Sequence, residues 1–441
     1  MNKQGKIALI SILATVLGAI SSAVIWVVLK IMTLGMDLLW TILPAKLGAE
    51  HNLVYMMAVT IIGGVIIGLW QKKFGLLPEE LPQVMGRVKK EGSYPYDNLH
   101  ILIVSALLPL IFGGVIGPEA GLTGVIVGLC CWVGDRLKCK GDELAALAQS
   151  SMGVALGVIF NAPFFGIVRN LGIDREEEKK KHSRARLVGK PVRIFIYCMG
   201  AAGGIAAFAG LGALFGGSAG LPRFDAKHTI SWIQWAWFLG IVAAAILAGL
   251  CYLFFAKVSE KLGEMLQNHR IVSCVLAGVC IATGMYFLPL TTFSGEHEMG
   301  ELMSSWEEYS AKILILTALA KMLLVNLCIS LGWRGGSIFP LIFSGVAAGY
   351  AFAAITGIDP NFAVAAMTAG LYGYVSRKPV MTVAVLLMCF PPVYIFPLAG
   401  AAVIASKVPI PPKMHEEEKI ADNQFTFSCA ESGAFKGKNR K

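Results

Sequence analysis

The sequence predicts an all-α fold, a polytopic membrane protein of tilted and broken helices in two related halves. Three observations carry that expectation. Hydrophobic residues make up 56% of the 441 residues and charged ones only 15%, against the charged quarter usual in soluble domains; mean hydropathy is +0.67. Gly and Pro recur inside the apolar stretches, and broken helices persist in a bilayer only where the freed backbone lines a cavity or is covered by protein. A glycine-rich run, Gly113-Gly-Val-Ile-Gly-Pro-Glu-Ala-Gly121, shares the pattern Gly-Gly-x-Ile-x-Pro with Gly335-Gly-Ser-Ile-Phe-Pro340.

Along the chain, residues 7–43 form a long apolar segment interrupted by Lys30 and Asp37. Lys3 and Lys6 ahead of it resemble a signal peptide, but no small-residue cleavage site follows, so a retained first helix is expected. The next span, residues 51–70, ends on Lys72-Lys73 and leads into a turn-rich stretch, residues 74–82, then a short amphipathic piece, residues 83–90. Residues 98–112 are apolar and run into the first glycine-rich turn, whose helix continues to about residue 137. Residues 143–160 are rich in Ala, Ser and Gly, which let helix backbones approach closely. Pro163 opens a further helix that enters the most charged loop, residues 174–193.

Beyond it, spans are expected at 192–216, 230–256, 271–290, 311–332, 337–357, 362–375 and 379–406, with polar loops at 218–228 and 291–310. The second loop, with His297, Glu298 and Glu301, reads as solvated and acidic; a zinc helix needs histidines at i and i+4, and Glu occupies 301. The resulting division is an N-terminal helical segment (1–50), a first repeat (51–173), a charged cytoplasmic linker (174–193), a second repeat (194–406) and a disordered cytoplasmic tail (407–441).

Net charge is +10, gathered in loops beside the spans. Positive loops mark the cytoplasmic side, which places a multi-pass protein in the cell membrane with both termini inside; such short loops give no nucleic-acid surface. Ten cysteines without a CxxC pair read as small apolar residues rather than disulfides or metal ligands, and no cofactor is implied.

The chemistry concentrates at Glu119. A carboxylate at bilayer depth costs a few kcal/mol unless it faces a cavity or partner, so it is a functional candidate by default. Glycines around it admit close approach to backbone amides, Pro118 suits a first helical turn, and a helix start favours anions. The second copy has Leu341 after its proline, where the first has Glu119. Phe160-Asn-Ala-Pro163 and Ser376-Arg-Lys-Pro379 follow the two copies in the same order, 45 and 39 residues beyond each proline. Paired broken segments in corresponding halves point to a midplane ion site.

These motifs resemble the CLC family of chloride channels and proton-coupled chloride transporters. Gly117-Pro118-Glu119-Ala120-Gly121 stands where the family has G-R-E-G-P, Gly336-Ser337-Ile338-Phe339-Pro340 resembles its G-x-F-x-P run, and Phe160-Asn-Ala-Pro163 resembles the start of the helix after the gate helix. The resemblance implies two inverted halves and a homodimer with one pore per subunit. It makes Glu119 the gate, with chloride or a similar small anion held by Gly117, Pro118, Ala120, Gly121, Gly336, Ser337, Ile338 and Phe339. The family's inner serine motif corresponds to Pro78-Glu-Glu-Leu-Pro82, which has two acids, Glu79 and Glu80, and no serine. These acids either guard an inner vestibule or belong to a solvated loop. The family's tyrosine falls on Pro392, and Tyr394, two residues on, is the candidate in its place. Where family exchangers carry an inner proton-relaying glutamate, Gly172 and Ile173 stand, with Asp174 adjacent.

The expected function is therefore passive, channel-like chloride conduction rather than enzymatic chemistry. A proton/chloride antiporter using Asp174 or a water chain is the alternative, and an intramembrane enzyme built on Glu119 or His297-Glu298 a remote one.

Overall fold

A computed structural model describes residues 3–79, 98–136, 190–216, 222–225 and 232–411. Its described elements are helices, with seven long and apolar enough to cross a membrane. The first is α1 (Lys3–Asp37), extended through a π-turn (Leu38–Ile42) into α2 (Leu43–Leu47). Then follow α3 (Leu53–Phe74), α4 (Leu99–Ile111), α5 (Glu119–Arg136) and α6 (Lys190–Phe215). The second half comprises α7 (Trp232–Met265), α8 (Arg270–Phe287), α9 (Glu296–Ser305), α10 (Ala311–Ser330), α11 (Ile338–Thr356), α12 (Pro360–Ser376), α13 (Pro379–Leu386) and α14 (Ile395–Lys407).

Two expectations change. The apolar stretch 379–406 is not one span: Pro391 and Pro392 cannot continue a helix, and a 3₁₀ turn (Pro392–Tyr394) separates α13 from α14. The 291–310 loop is not simply solvated. It folds as α9 flanked by 3₁₀ turns, with Thr291 and Glu298 buried. Residues 143–163, Glu80 and Asp174 lie outside the described residues.

Small residues set the helix spacing, as expected for packing without a hydrophobic drive between helices. α3 and α8 run antiparallel; a Cβ on Gly64 would stand 2.6 Å from the Cys274 carbonyl oxygen, and one on Gly278 2.5 Å from that of Thr60. α11 and α12 form a second antiparallel pair through Gly345 against Thr368 and Gly349 against Val364. Their shared core is fully enclosed, whereas α7 turns Trp232, Leu239 and Leu247 outward, as a lipid-facing helix does. One face of the molecule is basic, with Lys72 and Lys73 ending α3 beside Arg270 at the start of α8. On the opposite face His51 stacks on Tyr286 at 5.1 Å.

The two halves repeat one local geometry. Gly114 N donates to Pro109 O at 2.8 Å, and Trp333 N donates to Cys328 O at 2.8 Å. Gly113 and Gly332 are both left-handed, with φ of 94° and 106°. Pro118 O then accepts from Leu122 N, and Ser337 O from Leu341 N, each at 3.1 Å, which makes Pro118 and Ser337 the residues that open α5 and α11. The structural register therefore pairs Gly113 with Gly332 and Glu119 with Ile338. It differs by three residues from the register in which Gly113 matches Gly335, because a shared Gly-Gly dipeptide does not fix backbone conformation.

Candidate functional site

The two repeats meet backbone to backbone. Gly117 N donates to Gly336 O at 2.7 Å and Gly336 N to Gly117 O at 2.8 Å, an isolated antiparallel bridge just before the two helix starts. Each turn is fastened from behind. Trp333 Nε1 donates to Cys274 O at 2.8 Å and Ser273 Oγ to Leu331 O at 3.0 Å; Gln71 Nε2 donates to Gly332 O. On the first repeat, Trp40 Nε1 holds Ile111 O at 3.0 Å. Irregular backbone at this depth is thus covered by protein, as the bilayer demands.

Glu119 is the first residue of α5 and is 4% exposed. Its Oε1 accepts the Ile338 amide at 2.9 Å, and the amides of Glu119 itself and of Phe339 also face the carboxylate. The group therefore sits at two convergent helix N-termini, where unpaired N–H groups and the helix dipoles favour negative charge. A Cβ on either Gly117 or Gly336 would overlap the Glu119 carboxylate. Neither glycine has positive φ, so room rather than backbone freedom requires them.

Of the residues expected at the site, the structure brings together Gly117, Pro118, Glu119, Ala120, Gly336, Ser337, Ile338 and Phe339. Gly121 faces elsewhere: a Cβ there would collide with Ala106 of α4, so its smallness serves packing. Tyr394 is not at the cradle. Its hydroxyl lies beside Asp359 and Asn361 at the head of α12, which follows the far end of the 19-residue α11; that helix rises about 28 Å from the cradle. The displacement follows from the break at Pro391 and Pro392, which ties Tyr394 to Phe390 rather than to α11's start.

Sequence reading missed two groups. Tyr372 of α12, 3% exposed, lies within electrostatic reach of Glu119 and Tyr252, and the sequence signal for it was only a tyrosine in an apolar helix. Glu296, at the head of α9, also interacts with Glu119. Burial, with the like charges of Glu119 and Glu298 adding to it, pushes the Glu296 carboxyl up to about 8. Among the described residues no cluster of His, Cys, Asp and Glu has the makings of a metal site.

Convergent broken helices with a carboxylate between their amide ends define a repeat-built membrane transport protein of inverted topology. The sequence pattern described as voltage gated chloride channel matches residues 63–409. The chain belongs to that family, the CLC family. It is 26% identical over 350 residues to the ion-transport protein YfeO of Shigella sonnei (strain Ss046), covering 77% of this chain and 78% of that protein. The fold is similar to that of a slow cyanobacterial Cl⁻/H⁺ antiporter, with TM-score 0.76, 17% identity, and 94% and 99% of the two chains covered. It is also similar to a CLC-type fluoride/proton antiporter, with TM-score 0.67, 16% identity, and 92% and 97% covered.

Proposed function

We propose that this chain carries chloride or a similar small anion down its gradient, with Glu119 as the gate. One observation carries the reading: the Glu119 carboxylate accepts the Ile338 amide at the shared helix start. A carboxylate held by the donors that would solvate a dehydrated halide competes with that halide for one position. The anion takes the place when the side chain swings out or is neutralised. Backbone amides of Ala120, Ile338 and Phe339, with Gly117 and Gly336 supplying room, form the site. The basic face is read as cytoplasmic, both termini lie on it, and the working unit is a homodimer in the cell membrane.

A second reading, proton-coupled antiport, is favoured by the reach between Glu119 and Glu296, since paired carboxylates readily share a proton. Purified protein in liposomes decides between the two. A chloride gradient drives chloride flux in either case, and proton movement appears only with coupling. Replacing Glu119 with Gln alters the flux and its pH dependence; unchanged behaviour in both removes Glu119 from the mechanism.

A further inference from the structure

The turn that opens α5 is held by a side chain from a distorted piece of helix. α1 continues into a π-turn, closed by the Leu43 amide on Leu38 O, and π-turns inside helices are frequent at functional sites. The Leu39 carbonyl accepts the Tyr55 hydroxyl of α3. Trp40, in the middle of the π-turn, donates from Nε1 to Ile111 O at 3.0 Å, one of the carbonyls that the end of α4 leaves without a helical partner. Gly113, left-handed at φ of 94°, follows two residues later. A Cβ on it would stand 2.6 Å from Trp40 Cζ2, so the indole fills the space a side chain would take. A tryptophan near the end of a membrane helix ordinarily turns its N–H to the interface. This one gives it to the backbone that leads, four residues beyond Gly113, to the Gly117 bridge.

The same indole also meets the second repeat. It stands edge-on to the Phe293 ring, with centroids 5.7 Å apart at 86°. Phe293 has φ of 45°, a conformation that an aromatic residue seldom adopts and that surrounding contacts must impose. Those contacts are present on either side of it. Lys321 of α10, fully buried, donates from Nζ to Thr292 O at 2.8 Å and Leu290 O at 3.2 Å, and its ammonium rests 4.1 Å from the centre of the Phe343 ring. A Cβ on Gly295 would stand 2.8 Å from Phe343, in the second turn of α11. The strap 289–295 thus runs from the helix whose first amide holds Glu119 to the indole that covers Gly113.

We propose that Trp40 is a positioning residue of the anion site, fixing the amide end of the first repeat relative to that of the second. The proposal rests on the gate reading given above and adds what sets the spacing of the cradle. An anion held by amides of two helices responds to the distance between them, because a dehydrated ion is matched by the size and field of its cavity. The two bonds between Gly117 and Gly336 join the repeats at one point and leave rotation about that point. The indole, tied to Ile111 O and packed on the strap, resists the rotation.

The test is halide titration of efflux from liposomes holding the full chain, with melting curves of the same preparations. In Trp40→Phe, which keeps a ring and loses the N–H, half-saturating chloride rises by about 2- to 12-fold, the range of one neutral hydrogen bond. Half-saturating bromide rises by less, since a loosened cavity suits the larger ion. Trp232→Phe, on the lipid-facing surface, leaves both at wild-type values; the same shift there would trace the effect to lipid contact and overturn the assignment. Where Trp40→Phe yields too little folded protein, Phe293→Leu, which breaks the edge contact from the strap side, moves chloride more than bromide in the same direction. Folded Trp40→Phe with wild-type half-saturation overturns the inference, as does a lower melting temperature with the chloride-to-bromide ratio unchanged, which marks a structural brace alone. Glu119→Gln, measured alongside, keeps the two readings apart. If its flux and pH dependence match the wild type, the gate reading fails and the role of Trp40 with it; if they change while Trp40→Phe does not, only the role of Trp40 is lost.

Discussion

Alanine at Gly336 tests the location of the ion site rather than the identity of its gate. The added Cβ falls on the Glu119 carboxylate, the volume an anion would take under the proposed reading. The backbone at Gly336 is not in the left-handed region, so alanine is conformationally acceptable and the bridge to Gly117, with bonds of 2.7 and 2.8 Å, remains available. What is lost is the approach of a negative group to the Ile338 amide, now 2.9 Å. A hydrogen bond to a charged partner contributes about 1.5–3 kcal/mol, and about 1.4 kcal/mol is a tenfold change. Chloride affinity therefore falls by about 10- to 150-fold, and efflux falls with it instead of becoming ungated as in Glu119→Gln. Calorimetric titration of chloride into purified wild type and Gly336→Ala, beside a melting curve showing both folded, measures this. Wild-type affinity in the folded variant would refute the placement of the anion at the bridge.

Other perturbations read the scaffold around the site. Lys321→Met keeps the stem's volume but leaves the carbonyls of Leu290 and Thr292 without their donor; about 1–3 kcal/mol of stability is lost per orphaned group, read as a lower melting temperature in detergent. Asp359→Ala removes the cap on the Phe362 amide, 2.8 Å in the wild type, and costs about 0.5–2 kcal/mol by the same assay. Glu296 has its folded-state pKa raised to about 8, so the folded chain holds a proton that the unfolded chain has released. Its effect on stability is absent below the ordinary carboxylate pKa and grows more unfavourable as pH rises to about 8. Melting temperatures of wild type and Glu296→Gln should thus agree near pH 4 and separate by pH 8.5, with the variant higher.

The cradle was legible because apolar sequence is a quiet background. Glycine, proline and one acid stand out in it, and the bilayer's demand for covered backbone gives them meaning. The helix starts at Glu119 and Ile338 and the carboxylate's amide partners followed from that. Tertiary placement did not. The repeat register slipped by three residues because Gly335-Gly336 matches Gly113-Gly114 in letters, while Gly332, alone before Trp333, is what matches Gly113 in backbone conformation. Tyr394 was expected at the cradle because the resemblance puts the family's tyrosine two residues before it, at Pro392, and the proline break puts it at the far end of α11. Glu296 read as a loop acid because nothing local in the sequence tells that Lys321 will pull its turn down onto Phe343.

The register found in the structure gives the two-fold arrangement a specific consequence for gating. Glu119 and Ile338 are equivalent positions, each first in its helix, and the carboxylate of one is held by the amide of the other. If Glu119 is the gate as proposed, one repeat supplies the plug and its mate a donor, and the bond that would close the site lies across the repeat boundary. In the proposed gate, rotating the Glu119 side chain breaks that one bond. The backbone bridge between Gly117 and Gly336 and the ties from Trp333, Ser273 and Trp40 stay intact. Under the proposed reading, protonation of Glu119 and an anion's competition for the Ile338 amide would both bias the gate toward its open form.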